Sequence, residues 1–98
     1  MTEVKINEPV VDGDPALTGR TIDYTRTYWG HNLEAKMEDG LLRGFCWHMF
    51  AVRVGDKMTW RTEYGVAVGL VLEADWVSSV DDMYRIVAKV IHREVTAR

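Results

Sequence analysis

The run FCWHMFAVRVGDKMTWRTEYG, Phe45 to Gly65, constrains this chain more than any other. Two apolar, aromatic-rich segments flank Gly55-Asp56, a dipeptide suited to a two-residue hairpin loop with glycine first. Turn geometry sets register, so Val54 is expected to face Lys57, and each later pair follows. One face then collects Arg53 with Met58, Ala51 with Trp60, Met49 with Thr62, Trp47 with Tyr64, and Phe45 with Val66. Burying such rings contributes on the order of 2 kcal/mol each, so this face is the expected core. The other face collects Val52 with Thr59, Phe50 with Arg61, His48 with Glu63, and Cys46 with Gly65. An aromatic, an aliphatic, an arginine and a charged pair make a surface suited to another protein chain. The competing expectation is that the N-terminal arm of the same chain covers it.

Residues 1–20 form that arm. Pro9, Pro15, Asp12-Gly13-Asp14 and Gly19 break every period, although Val4 and Ile6 alternate like a short edge strand. The arm is held only if Val10, Val11 or Leu17 finds a groove. Thr21 to Trp29 is rich in β-branched and aromatic residues and predicts a strand. Residues 32–39 hold strong helix formers, yet Leu33, Ala35 and Met37 alternate between turn signals at Gly30-His31 and Asp39-Gly40, which favours a strand. Pairing through Gly30-His31 would set Tyr28 opposite Leu33 and Tyr24 opposite Met37. Leu41 to Val54 reads as a long strand bent at Gly44, Lys57 to Tyr64 as its return, and Leu70 to Ala74 as a further strand, either broken at Gly69 or continuous from Val66. The end of the chain predicts an amphipathic helix. Ser79 and Asp82 have capping-box spacing, and Val80, Tyr84, Val87, Ala88, Ile91 and Val95 fall on one stripe at a 3.6-residue period. The expected fold is therefore α+β: residues 21–98 make one domain, an antiparallel meander of four to six strands with the C-terminal helix packed on one face and the arm of residues 1–20 outside it.

Composition narrows the function classes. A chain of 98 residues with 47% hydrophobic and 28% charged residues suits one soluble globular domain. A net charge of -3 offers no basic footprint for nucleic acid. A single cysteine excludes an intramolecular disulfide, the start of the chain lacks a signal-peptide pattern, and no apolar run approaches the roughly 18 residues of a transmembrane helix. A reducing, cytoplasmic setting is the expectation.

Cys46, His48 and Glu63 share the expected second face and could act as nucleophile, base and orienting carboxylate. A flat sheet face supplies no oxyanion hole, and a His–Glu cross-strand pair beside a buried thiol explains the same residues, so no catalytic residue is assigned. His31, His48 and His92 are scattered without metal-ligand spacing, and Asp12-Gly13-Asp14 lacks the remaining ligands of a calcium loop; no metal or cofactor is expected. Of the four tryptophans, Trp47 and Trp60 suit the core, while Trp29 and Trp76 at element ends suit an interface. The expected interface set is Phe50, Arg61, His48, Glu63, Val52, Trp29 and Trp76.

These features favour a small non-catalytic protein-interaction module, an inhibitor or adaptor, whose partner is another protein or further copies of itself as a homodimer or ring. Two alternatives are a structural subunit of a phage or other particle, with the arm reaching a neighbour, and a small enzyme or ligand-binding protein using the Cys46–His48–Glu63 face.

Overall fold

Residues with branched or aromatic side chains dominate the second half of the chain, and they pair there into a long hairpin that organises the whole sheet. In the computed structural model, which describes residues 13–77 and 82–95, six strands form one sheet. They are β1 (Thr21–Tyr24), β2 (Asn32–Glu38), β3 (Leu41–Trp47), β4 (Lys57–Thr62), β5 (Gly65–Trp76) and β6 (Met83–Val95). Their order across the sheet is β1-β4-β5-β6-β3-β2, antiparallel throughout except for the parallel pair β1 and β4.

The expected α+β class is overturned, because the described residues contain no helix and the predicted C-terminal helix is β6. Its cap residue Ser79 lies outside the described residues. The physical reason lies in the position of β6 at the centre of the sheet, between β5 and β3. Ile86 and Ala88 are buried on one face and Val87 on the other, so the strand reads as a continuous apolar run that carries no clean alternation. A register shift between Val68 and Gly69 leaves Ile91 as an extra residue in β6, which pushes the apolar spacing further towards a helical one. What favours the strand locally is β-branching at Ile86, Val87, Val90, Ile91 and Val95.

The sheet curls into a half-barrel. A second register shift, between Val71 and Glu73, adds to the local twist of the β5–β6 pair. Alternate residues line the concave side: Ile22 and Tyr24 of β1, Met58 and Trp60 of β4, Ala67 and Val71 of β5, Ile86 and Ala88 of β6, and Leu42 and Cys46 of β3 form one buried cluster. Leu33 and Ala35 of β2 pack against it, so both edge strands reach the same core. Tyr24 ties the open side together, donating from its hydroxyl to the Trp47 carbonyl at 2.9 Å.

The predicted hairpin about Gly55-Asp56 is also overturned. β3 ends at Trp47 and pairs with β2 and β6, whereas β4 pairs with β1 and β5, so the two runs are not neighbours. Gly55 and Asp56 do form a turn, closed by Asp56 N–H to the Arg53 carbonyl at 3.0 Å, but it belongs to a loop of residues 48–56 that crosses to the far side of the sheet. Of the expected core face only Met58 and Trp60 are buried; Met49 is 71% exposed, and Phe45 and Tyr64 are exposed as well.

Residues 32–38 are a strand, and Asp39-Gly40 is the two-residue loop joining it to β3, with both residues at positive φ. The preceding loop is Trp29-Gly30, one residue earlier than expected, because Tyr28 and His31 exchange both backbone hydrogen bonds. Tyr24 faces Trp60 in register, and Met37 faces Leu42. Gly44 is needed at its place in β3, since a Cβ there would lie 2.5 Å from Ala35 Cα of β2. The readings on Val4, Ile6, Val10 and Val11 lie outside the described residues. Residues 13–20 do pack on the domain: Asp14 pairs with Lys89 of β6, and Thr18 N–H bonds the Gly55 carbonyl. Among the described residues no helix is long and apolar enough to cross a membrane.

Candidate functional site

Two short segments meet at the end of the half-barrel where β3 finishes and β6 begins. One is the Trp29-Gly30 turn. The other is His48–Phe50, which leaves β3 just after its backbone is anchored by His48 N–H to the Asp82 carbonyl at 3.0 Å. Between them lies a cleft of about 330 Å³ lined by Tyr28, Trp29, Gly30, His31, His48, Met49, Phe50 and Asp82. A wider groove of about 800 Å³ continues past Trp29 along Asn32, Glu34 and Trp47.

The floor of the cleft is a stack of rings. His31 lies between Tyr24 and Tyr28, with centroids 4.5 and 4.8 Å away and planes nearly parallel. His48 meets the edge of His31 at 5.4 Å, and Phe50 meets His48 at 6.0 Å. Nε2 of His31 faces the Asp23 carbonyl, which can only accept, so that nitrogen carries a proton. In a neutral His31 ring Nδ1 is then an acceptor, and Nδ1 of His48, 3.3 Å away, donates to it. Burial pushes the His48 pKa below the ordinary imidazole value, and the neighbouring His31 and Arg20 add to the effect against a smaller opposing pull from Asp56.

The rim is different in kind. Trp29 is 95% exposed, Phe50 65%, and Tyr28 and Met49 also project into solvent. Large apolar side chains are thus gathered at one place on the surface. The Trp29 turn is nonetheless well held, by the reciprocal Tyr28–His31 hydrogen bonds and by the stacked His31 ring beneath it.

The Cys46–His48–Glu63 grouping is not assembled. Cys46 points into the core, where burial pushes its thiol up to about 11, too high for a ready thiolate. His48 is engaged with His31, and Glu63 sits exposed in the β4–β5 turn without facing His48 in register. Among the described residues no three of His, Cys, Asp and Glu stand where they could share a metal ion.

The expected interface residues divide. Trp29, His48 and Phe50 come together in the cleft. Val52 is 5% exposed and belongs to the core. Arg61 is outside the cleft, with its Nε donating to the Thr25 carbonyl at 3.3 Å along a separate groove. Trp76 closes β5 opposite Tyr84 and does not line the cleft. Tyr28, His31, Met49 and Asp82 were missed. The signal for Tyr28 and His31 was present in the chain, since a turn one residue earlier places them as partners.

A second polar centre supports the site from behind. Asp56 is fully buried and accepts hydrogen bonds from Arg20, the Thr18 hydroxyl and the Arg53 amide, while Arg20 also reaches the Ala51 carbonyl. Burial acts to raise the Asp56 pKa, but these hydrogen bonds and the Arg20 charge outweigh it and hold the carboxyl below its ordinary value. The crossing loop that presents Phe50 is thereby pinned at its far end. Comparison of the chain with protein-family models, with curated proteins and with solved structures finds no match.

Proposed function

We propose that this protein is a small protein-interaction module that docks on a larger protein through the aromatic end of its half-barrel. The observation that carries the reading is Trp29, 95% exposed at the tip of a turn closed by two backbone hydrogen bonds, with Tyr28, Met49 and Phe50 around one cleft. Covering rings of this size yields on the order of 2 kcal/mol each, and a braced turn loses little freedom when it docks. Aromatic anchors beside a pocket are the usual centre of a binding surface. The chemistry available at the cleft supports contact better than catalysis, since its polar side chains are two histidines joined ring to ring, a tyrosine and a carboxylate, with no cysteine, serine or lysine among the described lining residues.

The test is site-specific photo-cross-linking in the source cells, with a photoreactive amino acid replacing Met49, joined to light scattering of the purified protein over a wide concentration range. An adduct of defined mass with one other protein, lost in Trp29→Ala and Phe50→Ala but kept in Arg61→Ala, is the expected result. Both aromatic variants should keep the wild-type melting temperature, because neither ring is buried. Absence of any adduct would overturn the reading. So would cross-linking or self-association that ignores both aromatic variants.

A further inference from the structure

The cleft has a charge character that its apolar rim conceals. Asp82 lines both the narrow cleft and the wider groove, Glu34 lines the groove beyond Trp29, and no lysine or arginine is among the described residues lining either. Around these two carboxylates stand the rings of Tyr28, Trp29, Trp47 and Phe50. Aromatic faces carry negative potential and attract cations, most strongly for tryptophan. The nearby Arg20 does not supply the missing charge, since its guanidinium is held by Asp56 and the Ala51 carbonyl. An uncharged apolar partner would cover Asp82 without compensation, which costs free energy. A cation would satisfy carboxylate and rings at once.

From this juxtaposition we infer that the cleft between the Trp29-Gly30 turn and His48–Phe50 receives an arginine side chain of the partner protein, stacked on the rings and paired with Asp82. The inference rests on the interface reading above. Arginine fits better than lysine because its planar guanidinium can lie against a ring while its edge donates in a fork to a carboxylate. A volume of about 330 Å³ leaves room for one such side chain.

The experiment is an NMR titration of the full-length, isotope-labelled protein with N-acetyl-arginine amide, set beside the lysine amide and the citrulline amide, a neutral isostere. Saturable shifts of the Trp29 indole resonance with millimolar arginine amide are expected. Citrulline amide should bind about three- to fivefold more weakly, and Asp82→Asn should weaken the arginine complex by a similar factor, as for one cation contact at a half-exposed site. Asp82 is suited to the test because its backbone carbonyl, which Asn retains, is what holds His48. Equal binding of citrulline, tighter binding of lysine, indifference to Asp82→Asn, or no saturable shift would each overturn the assignment. The two readings fail separately: a cross-link that depends on Trp29 and Phe50, without arginine recognition, removes this inference and leaves the interface standing.

Discussion

Asp56 shows how one residue can change role between chain and fold. Its sequence position, after Gly55, is that of a turn tip, yet it is fully buried and ligated by Arg20, Thr18 and the Arg53 amide. Gly55 makes this arrangement accessible, because any Cβ there would run into the Ala16 carbonyl of the arm. Asp56→Ala should therefore cost about 2–3 kcal/mol at neutral pH, leaving donors without an acceptor and Arg20 without its partner. The native Asp56 carboxyl titrates below the 3.8 of the unfolded chain, so its stabilisation is present above that pH and is lost as pH falls through the folded value. His48 acts in the same direction at higher pH. Its folded pKa lies below 6.5, so the unfolded chain binds the proton more readily and stability declines as pH falls from 6.5 towards the folded value. Urea unfolding from pH 8 to pH 2 should show two declining stages, the upper removed by His48→Gln and the lower reduced by Asp56→Asn, with Asp23, whose hydrogen bonds to Thr25 also lower its pKa, contributing to what remains. A profile unchanged by either variant would contradict these assignments.

At the scale of elements, β2 and β6 teach opposite lessons. Residues 32–38 hold good helix formers but alternate between two turns, and alternation describes them correctly, because an edge strand of a curled sheet buries one face only. β6 has a helical stripe and is a strand, because it is central and buried on both faces. Periodicity informs only where one face is wet. β2 docks on β3 through the close approach of Ala35 to Gly44, where an added Cβ would fall 2.5 Å from Ala35 Cα. Gly44→Ala should push β2 away from β3. Hydrogen exchange should then lose protection in Asn32–Glu38 and keep it in β4 and β5, whose contacts do not involve that edge. Uniform loss across the sheet would mean that β2 is part of one cooperative unit with the rest.

The whole molecule depends on bringing the edges of one sheet together without pairing them throughout. β1 and β2 lie at opposite ends of the strand order, yet Tyr24 of β1 bonds the Trp47 carbonyl of β3 and stacks on His31 just before β2. That closure places the Trp29 turn against His48–Phe50 and so creates the cleft. Tyr24→Phe keeps the ring and removes the hydrogen bond, leaving the part-buried Trp47 carbonyl short of its donor. A loss of about 1 kcal/mol is expected, seen as a fall in melting temperature of about 4–8 °C. The Trp29 indole NMR resonance should shift as well if the closure governs the cleft; an unchanged melting temperature would show that the edges are held by packing alone.

The chain by itself determined what depends on near neighbours: the start of the strand expected over Thr21 to Trp29, which ends already at Tyr24, the Asp39-Gly40 loop, the strand character of residues 32–38, and the exposed tryptophan beside a turn at Trp29. Turn chemistry and one-sided burial are local, so they can be read from a short window. Only the tertiary structure decided which strands are partners. Gly55-Asp56 announces a turn but cannot say whether the chain returns to β3 or crosses to β5, since that choice is made by burial summed over all six strands. The same holds for the site: Phe50, His48 and Trp29 could be singled out one by one, but that they share a cleft with His31 and Asp82 follows from the curl of the sheet, which no single segment encodes.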